Sequence, residues 1–295
     1  MDETASMSRF SDASHRVLRS LAKVILALLG LLAVAVAVKA VWVRRCCREI
    51  GSFESERTDI LERRAYLARE ILVEPDALIE KMPSAVGPQF QGEWALYSCS
   101  MFTAALVNIA RLYPETRAES VGIADSLIRI VLSPALRQYD SVRWGKDAIM
   151  DLDGDDSHVS YLSHLAWMIG WYELLLSDIY DRDFAEEQYR RMKRLFIQEK
   201  PLAGMREYHD RDCTMGFDID AGPIIMNLSP SGTAFALGPV TYFGDMALRT
   251  KILRTAEIAG STIIRNGERH YLLADIVPVG EAIALAMRTA LPSPN

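Results

Sequence analysis

His158, Tyr161 and His164 recur at intervals of three in the segment His158-Val-Ser-Tyr-Leu-Ser-His164. On a helix that spacing places successive members on one face. An imidazole at a helix start meets the positive end of the helix dipole, which disfavours its protonated form. The pattern therefore predicts a neutral His158 that serves as a general base, with Tyr161 as a proton donor. His164 has a plainer use, packing among Trp167, Met168 and Trp171. A second set lies downstream, where Glu207 precedes Asp218 and Asp220, just ahead of Gly222-Pro223. Paired carboxylates divide acid and base roles when their surroundings push the two pKa values apart. Asp at a loop end also caps helices and turns, and both uses stay open. Trp94, Tyr97, Trp144 and Tyr208 could stack on a sugar, enclose an apolar ligand or fill a core.

Other chemistries lack their signatures. The segment Asp151-Leu-Asp-Gly-Asp-Asp156 departs from a calcium loop, which needs Gly at its sixth and an acid at its twelfth position. Cys46, Cys47, Cys99 and Cys213 form no zinc spacing. Cys99 sits in an apolar run and reads as a buried thiol, and a Cys99–Cys213 disulfide has no support from spacing. There is no P-loop, dinucleotide fingerprint, H-E-x-x-H or G-x-S-x-G motif, so no metal or cofactor is expected. With 33 basic and 39 acidic residues and a net charge of -6, the chain carries no nucleic-acid footprint.

The elements that must position these groups begin with an apolar segment. Val24 to Val38 is unbroken, Lys39 interrupts it, and Ala40 to Val43 extends it. Residues 22–43 thus reach the roughly 20 residues that cross a bilayer as a helix. A cleaved signal peptide is the alternative, with Val38-Lys39-Ala40 as its cleavage site. Basic residues balance on the two sides, so charge does not orient the segment. Cys46-Cys47 beside Arg44-Arg45 could take an acyl group on a cytoplasmic face, and inert juxtamembrane residues are the simpler reading. Residues 1–21 form a tail, 44–91 a juxtamembrane segment with a charged first helix or stalk at Glu54 to Leu72, and 92–295 the main domain.

Within that domain apolar and amphipathic helices alternate. Trp94 to Leu112, His158 to Ser177 and Ser229 to Phe243 are apolar; Arg117 to Leu132, Asp183 to Glu199 and Ala247 to Ala259 are more polar. A loop is expected from Tyr139 to Ser157, with Ser157 capping the next helix. A turn at Asn266-Gly267 precedes a short strand at Tyr271 to Leu273, and Glu281 to Thr289 is the last helix. Hairpins that bury their apolar face only against neighbours build toroids and solenoids, so the fold class is all-α.

Trp94-Ala-Leu-Tyr97, Trp144-Gly-Lys-Asp147, the His158–His164 segment, Arg206-Glu-Tyr208 and Asp218-Ile-Asp-Ala-Gly-Pro223 occur in this order. Together they resemble the α/α-toroid proteins with a linalool dehydratase/isomerase-like domain, over roughly Gly92 to Thr289. The resemblance implies an (α/α) toroid, often attached to the cell envelope on its extracytoplasmic side. It implies metal-free acid/base chemistry by His158, Tyr161, Asp218 and Asp220. Trp94, Tyr97, Trp144, Asp147, Glu207 and Tyr208 would contact the substrate. Relatives carry several further helices between the positions matching Phe196 and Met205, including a Glu-Pro-Asp/Asn-Asn-like segment with nearby cysteines. Here Lys200-Pro-Leu-Ala-Gly204 stands in their place, so the toroid is expected to be incomplete. Two functions follow as expectations: a membrane protein that acts on or binds an envelope sugar or small apolar alcohol, or a non-catalytic membrane-tethered binding or scaffold protein.

Overall fold

The structure, a computed structural model, describes residues 3–151, 158–173, 182–208, 216–218 and 222–291. The chain is mostly helical and falls into two compact units, Met1–Arg48 and Glu49–Asn295. The first unit is one helix, α1 (Glu3–Cys46). Its apolar part, Leu21–Cys46, has 26 residues and a fully exposed apolar window. At 1.5 Å per residue it is about 39 Å long, enough for a bilayer core. A membrane span and a signal sequence both have this make-up.

The second unit opens with α2 (Phe53–Leu72), fixed by a capping box between Ser52 and Ser55. It continues with α3 (Gly87–Leu112), α4 (Arg117–Val131), α5 (Pro134–Trp144), α6 (Val159–Glu173) and α7 (Arg182–Phe196). After two short antiparallel pairs, β1 (Ile197–Gln198) with β2 (Gly204–Met205) and β3 (Phe217–Asp218) with β4 (Gly222–Pro223), come α8 (Pro230–Tyr242) and α9 (Met246–Gly260). A hairpin of β5 (Thr262–Arg265) and β6 (Glu268–Tyr271) leads to α10 (Val279–Arg288). Its turn residues Asn266 and Gly267 both have positive φ, as a two-residue hairpin turn requires.

Three sequence expectations change. The stretch Tyr139 to Ser157 is not all loop, because α5 runs to Trp144. Ser133 caps its start with Pro134 at the first turn, and Gly145 ends it at φ 73°. Ser157 itself lies outside the described residues. The late strand ends at Tyr271, and Leu272 to Asp275 form a 3-10 turn instead. Helix α2 is no stalk: Ile60, Tyr66, Leu67 and Ile71 are buried in the main core.

Helix α3 is the hub. It packs on α4, α5, α6 and α10, and α10 in turn packs on α8. The apolar helices thus stand in the row α6, α3, α10, α8, with α4 against α3 and α6, α2 against α3 and α10, and α9 against α8. Gly92 lets α3 meet α5 closely, since a Cβ there would collide with the Tyr139 ring. A smaller core joins Ala203, Leu237, Val240, Leu248, Ile252 and Leu253.

Charge also lies inside this unit. Glu56 takes a bidentate pair from Arg249, at 2.5 and 2.8 Å, and a third bond from Arg288 at 2.7 Å. Arg288 also reaches Asp59 at 2.5 Å. Arg63 bonds Asp59 at 3.0 Å and Glu281 at 2.7 Å, and contacts Glu257 at 3.4 Å. All seven side chains are buried. Arg269 closes the rim on Glu49 at 2.6 Å and Glu62 at 2.5 Å. Burial alone would raise the Glu56 and Asp59 pKa values, but the guanidiniums of Arg288, Arg249 and Arg63 hold both below the ordinary carboxylate range.

Removing one partner of a buried pair strands the others. Arg63→Ala and Arg288→Ala are each expected to cost about 3–5 kcal/mol in chemical denaturation, whereas Arg129→Ala, which breaks an exposed pair, should cost less than about 1 kcal/mol. Equal, small losses at all three positions would overturn this account of the network.

Candidate functional site

The motif residues gather mainly around the end of α5 and the start of α6. His158 stands just ahead of α6, and its carbonyl accepts the Leu162 N–H at 2.9 Å. Its ring is buried. Nδ1 lies 2.5 Å from Asp140 Oδ2, on α5, and Nε2 lies 3.5 Å from Asp151 Oδ2. The Trp144 ring, last in α5, stands edge-on at 6.0 Å. Asp147 shapes the turn between them: it pairs with Arg137 at 3.0 Å and accepts the Ile149 N–H at 2.9 Å. That turn delivers Asp151 to the ring, with Lys146 3.5 Å from its other oxygen.

The ionisation of His158 differs from the expectation. Burial would lower its pKa, but the hydrogen bond and charge of Asp140, followed by those of Asp151, outweigh burial and raise it above 6.5. A helix end carries about half a charge spread over a turn. Two carboxylates beside the ring are the stronger influence. The two carboxylates thus shift the imidazole towards its protonated form relative to a free histidine, opposite to the direction expected from the helix dipole.

Tyr161 is fully buried, and its hydroxyl donates to the Val131 carbonyl at 2.8 Å. Burial pushes its pKa up to about 12. His164 lies 2.8 Å from Ser100 Oγ, with the Tyr97 ring edge-on at 4.1 Å and Trp167 at 6.1 Å. Burial lowers its pKa to about 4. Trp94 is half-buried against the main core, and its carbonyl accepts the Ser98 hydroxyl. Cys99 is a buried free thiol whose pKa burial raises to about 12; Cys213 lies outside the described residues.

The downstream set sits on other elements. Glu207 and Tyr208 follow β2, which packs on α8 and α9, while α6 packs on α3 and α4. Asp218 closes β3 opposite Gly222. Asp220 lies outside the described residues. Among the described residues no group of three or more His, Cys, Asp or Glu side chains could hold a metal ion. The partners Asp140 and Asp151 were missed by the sequence reading. Asp140 is three residues after Arg137 within α5, and only recognition of that helix would have turned it towards the core.

No protein-family model matches the chain, and no curated protein matches it either.

A packing role and a proton-donor role for Tyr161 separate experimentally. Tyr161→Phe leaves the Val131 carbonyl without its partner and should cost about 1–3 kcal/mol of unfolding free energy. A variant as stable as the wild type would return Tyr161 to the pool of chemical groups.

Proposed function

We propose that the chain is a membrane-tethered, non-catalytic binding or scaffold protein built on an incomplete α/α toroid of the linalool dehydratase/isomerase-like kind. The observation that carries this reading is the use of His158 and Tyr161. Both are buried, one held between Asp140 and Asp151 and the other on the Val131 carbonyl. A general base must reach the proton it removes. The row of apolar helices α6, α3, α10, α8, each side covered by a more polar helix, supports the toroid part of the proposal. The tether is the apolar part of α1, and the main domain would face the extracytoplasmic side.

A second reading has one observation in its favour. An imidazole with Nδ1 on a carboxylate and Nε2 without a hydrogen bond is the arrangement of an oriented general base. On that reading the protein acts on an envelope sugar or a small apolar alcohol by acid/base chemistry, with Asp218 and Asp220 as further groups.

Mass-spectrometric turnover assays of the full chain in detergent, against sugars, uronic acids and terpenoid alcohols, should show no product above the buffer control. Turnover lost in both His158→Gln and Asp140→Asn would overturn the non-catalytic proposal. The membrane fraction should yield the chain at its full 33.0 kDa. A shorter product released from the membrane would identify α1 as a cleaved signal and sink the tether.

A further inference from the structure

We propose that the imidazole of His158 is a proton-operated latch that fastens the segment 145–151 to α5. The ring bridges two carboxylates that come from either side of Gly145, Asp140 within the helix and Asp151 beyond it. Nε2 and Asp151 Oδ2 face each other at 3.5 Å, both buried and both without a hydrogen bond. With a proton on Nε2 that contact is a cation against an anion. Without it, two lone pairs face each other where water does not screen them, so attraction becomes repulsion. With the neutral ring in the Nδ1–H tautomer, which the 2.5 Å contact to the Asp140 carboxylate selects, Asp140 keeps its hydrogen bond in both states.

The other groups around the ring leave the switch to His158. On α5 the ring meets Asp140 and the edge of Trp144. On the following segment it meets Asp151, which Lys146 partly neutralises at 3.5 Å, while Asp147 is already paired with Arg137. Among the described residues, the ion pairs of the ring within 4 Å are those with Asp140 and Asp151. Because the folded pKa lies above the ordinary 6.5, the latch is fully closed below that value. It opens as pH rises through the folded pKa. Ala148 is buried in the main core and Ile149 packs against it, whereas Met150 is 84% exposed, so the latch governs the end of the segment at Met150–Asp151 while Ala148 anchors its middle.

Hydrogen exchange on the full-length protein in detergent tests this, with amides 145–151 compared between wild type and variants at matched pH. Asp151→Asn keeps the Asp140–His158 bond and supplies an amide that can serve either ring state. The wild-type segment should lose about tenfold protection relative to Asp151→Asn between about pH 6 and pH 9, with α3 amides unchanged. His158→Gln should abolish the step; if it does not melt cooperatively, Asp151→Asn carries the test alone. A flat wild-type profile, or an undiminished step in Asp151→Asn, would overturn the latch.

Discussion

The domain depends on a buried ionic cluster that ties its first helix to its last. Glu56, Asp59 and Arg63 come from α2, Arg249 and Glu257 from α9, and Glu281 and Arg288 from α10. More than 200 residues separate Arg63 from Glu281 and Glu56 from Arg288, at |i−j| of 218 and 232. Desolvating seven charges is costly, and hydrophobic replacements of a buried pair are often no less stable. Such a cluster is therefore weak evidence for extra stability and better evidence for register. Each guanidinium accepts only one arrangement of carboxylates, so α2 cannot slide against α10 without stranding a charge. Neighbouring bonds extend the same lock: Thr262 donates to Glu257 at 2.7 Å, and the Tyr271 N–H donates to Glu281 at 2.8 Å. The β5–β6 hairpin is thus placed by the cluster rather than by its own short ladder.

This explains which parts of the fold were legible in the sequence. The apolar helices α3, α6 and α8 announce themselves by long, mostly apolar runs, with Pro114 marking the end of α3 and Pro239 tolerated inside α8. Helix α2 was legible as a helix at Glu54 to Leu72 but not as a buried one, because charges on a helix ordinarily mark its solvent face. Glu56, Asp59 and Arg63 share a stripe with Ile60 and Leu67, and that stripe makes sense only beside Arg249, Glu281 and Arg288. The information is non-local, in residues two hundred positions away. Helix α5 was missed for a different reason. It is short and polar, and its signals are its ends, Ser133-Pro134 and Gly145, rather than any periodicity.

The candidate site follows the same division. The spacing of His158, Tyr161 and His164 correctly marks one helix, but not what each side chain meets. Tyr161 meets a carbonyl at the end of α4, and His164 meets Ser100 on α3. His158 meets carboxylates that no local motif contains. The dipole argument treated the helix start as the only charge nearby, and the fold then supplied two larger ones at closer range. A titratable residue read from sequence has a defined chemical range. Its working pKa belongs to the packing.

The two longest apolar stretches make the point in its simplest form. Leu21–Cys46 and Gly87–Leu112 are each 26 residues long and apolar enough to cross a membrane. In α3, 78% of the apolar window is buried, and its hydroxyls are satisfied within the helix: Ser98 on Trp94, Thr103 on Cys99. In α1 the apolar window is wholly exposed, with Leu26, Leu31 and Val41 more than two-thirds open at 69%, 68% and 67%. Each such side chain left in water forgoes about 1.5–3 kcal/mol. Leu21–Cys46 is the more apolar of the two, yet both pass on length and composition, and both satisfy their own backbone polar groups as a bilayer demands. What separates them is company. Helix α3 has five helices around it, and Leu21–Cys46 has a surface that only an apolar medium or a receptor for signal sequences can match.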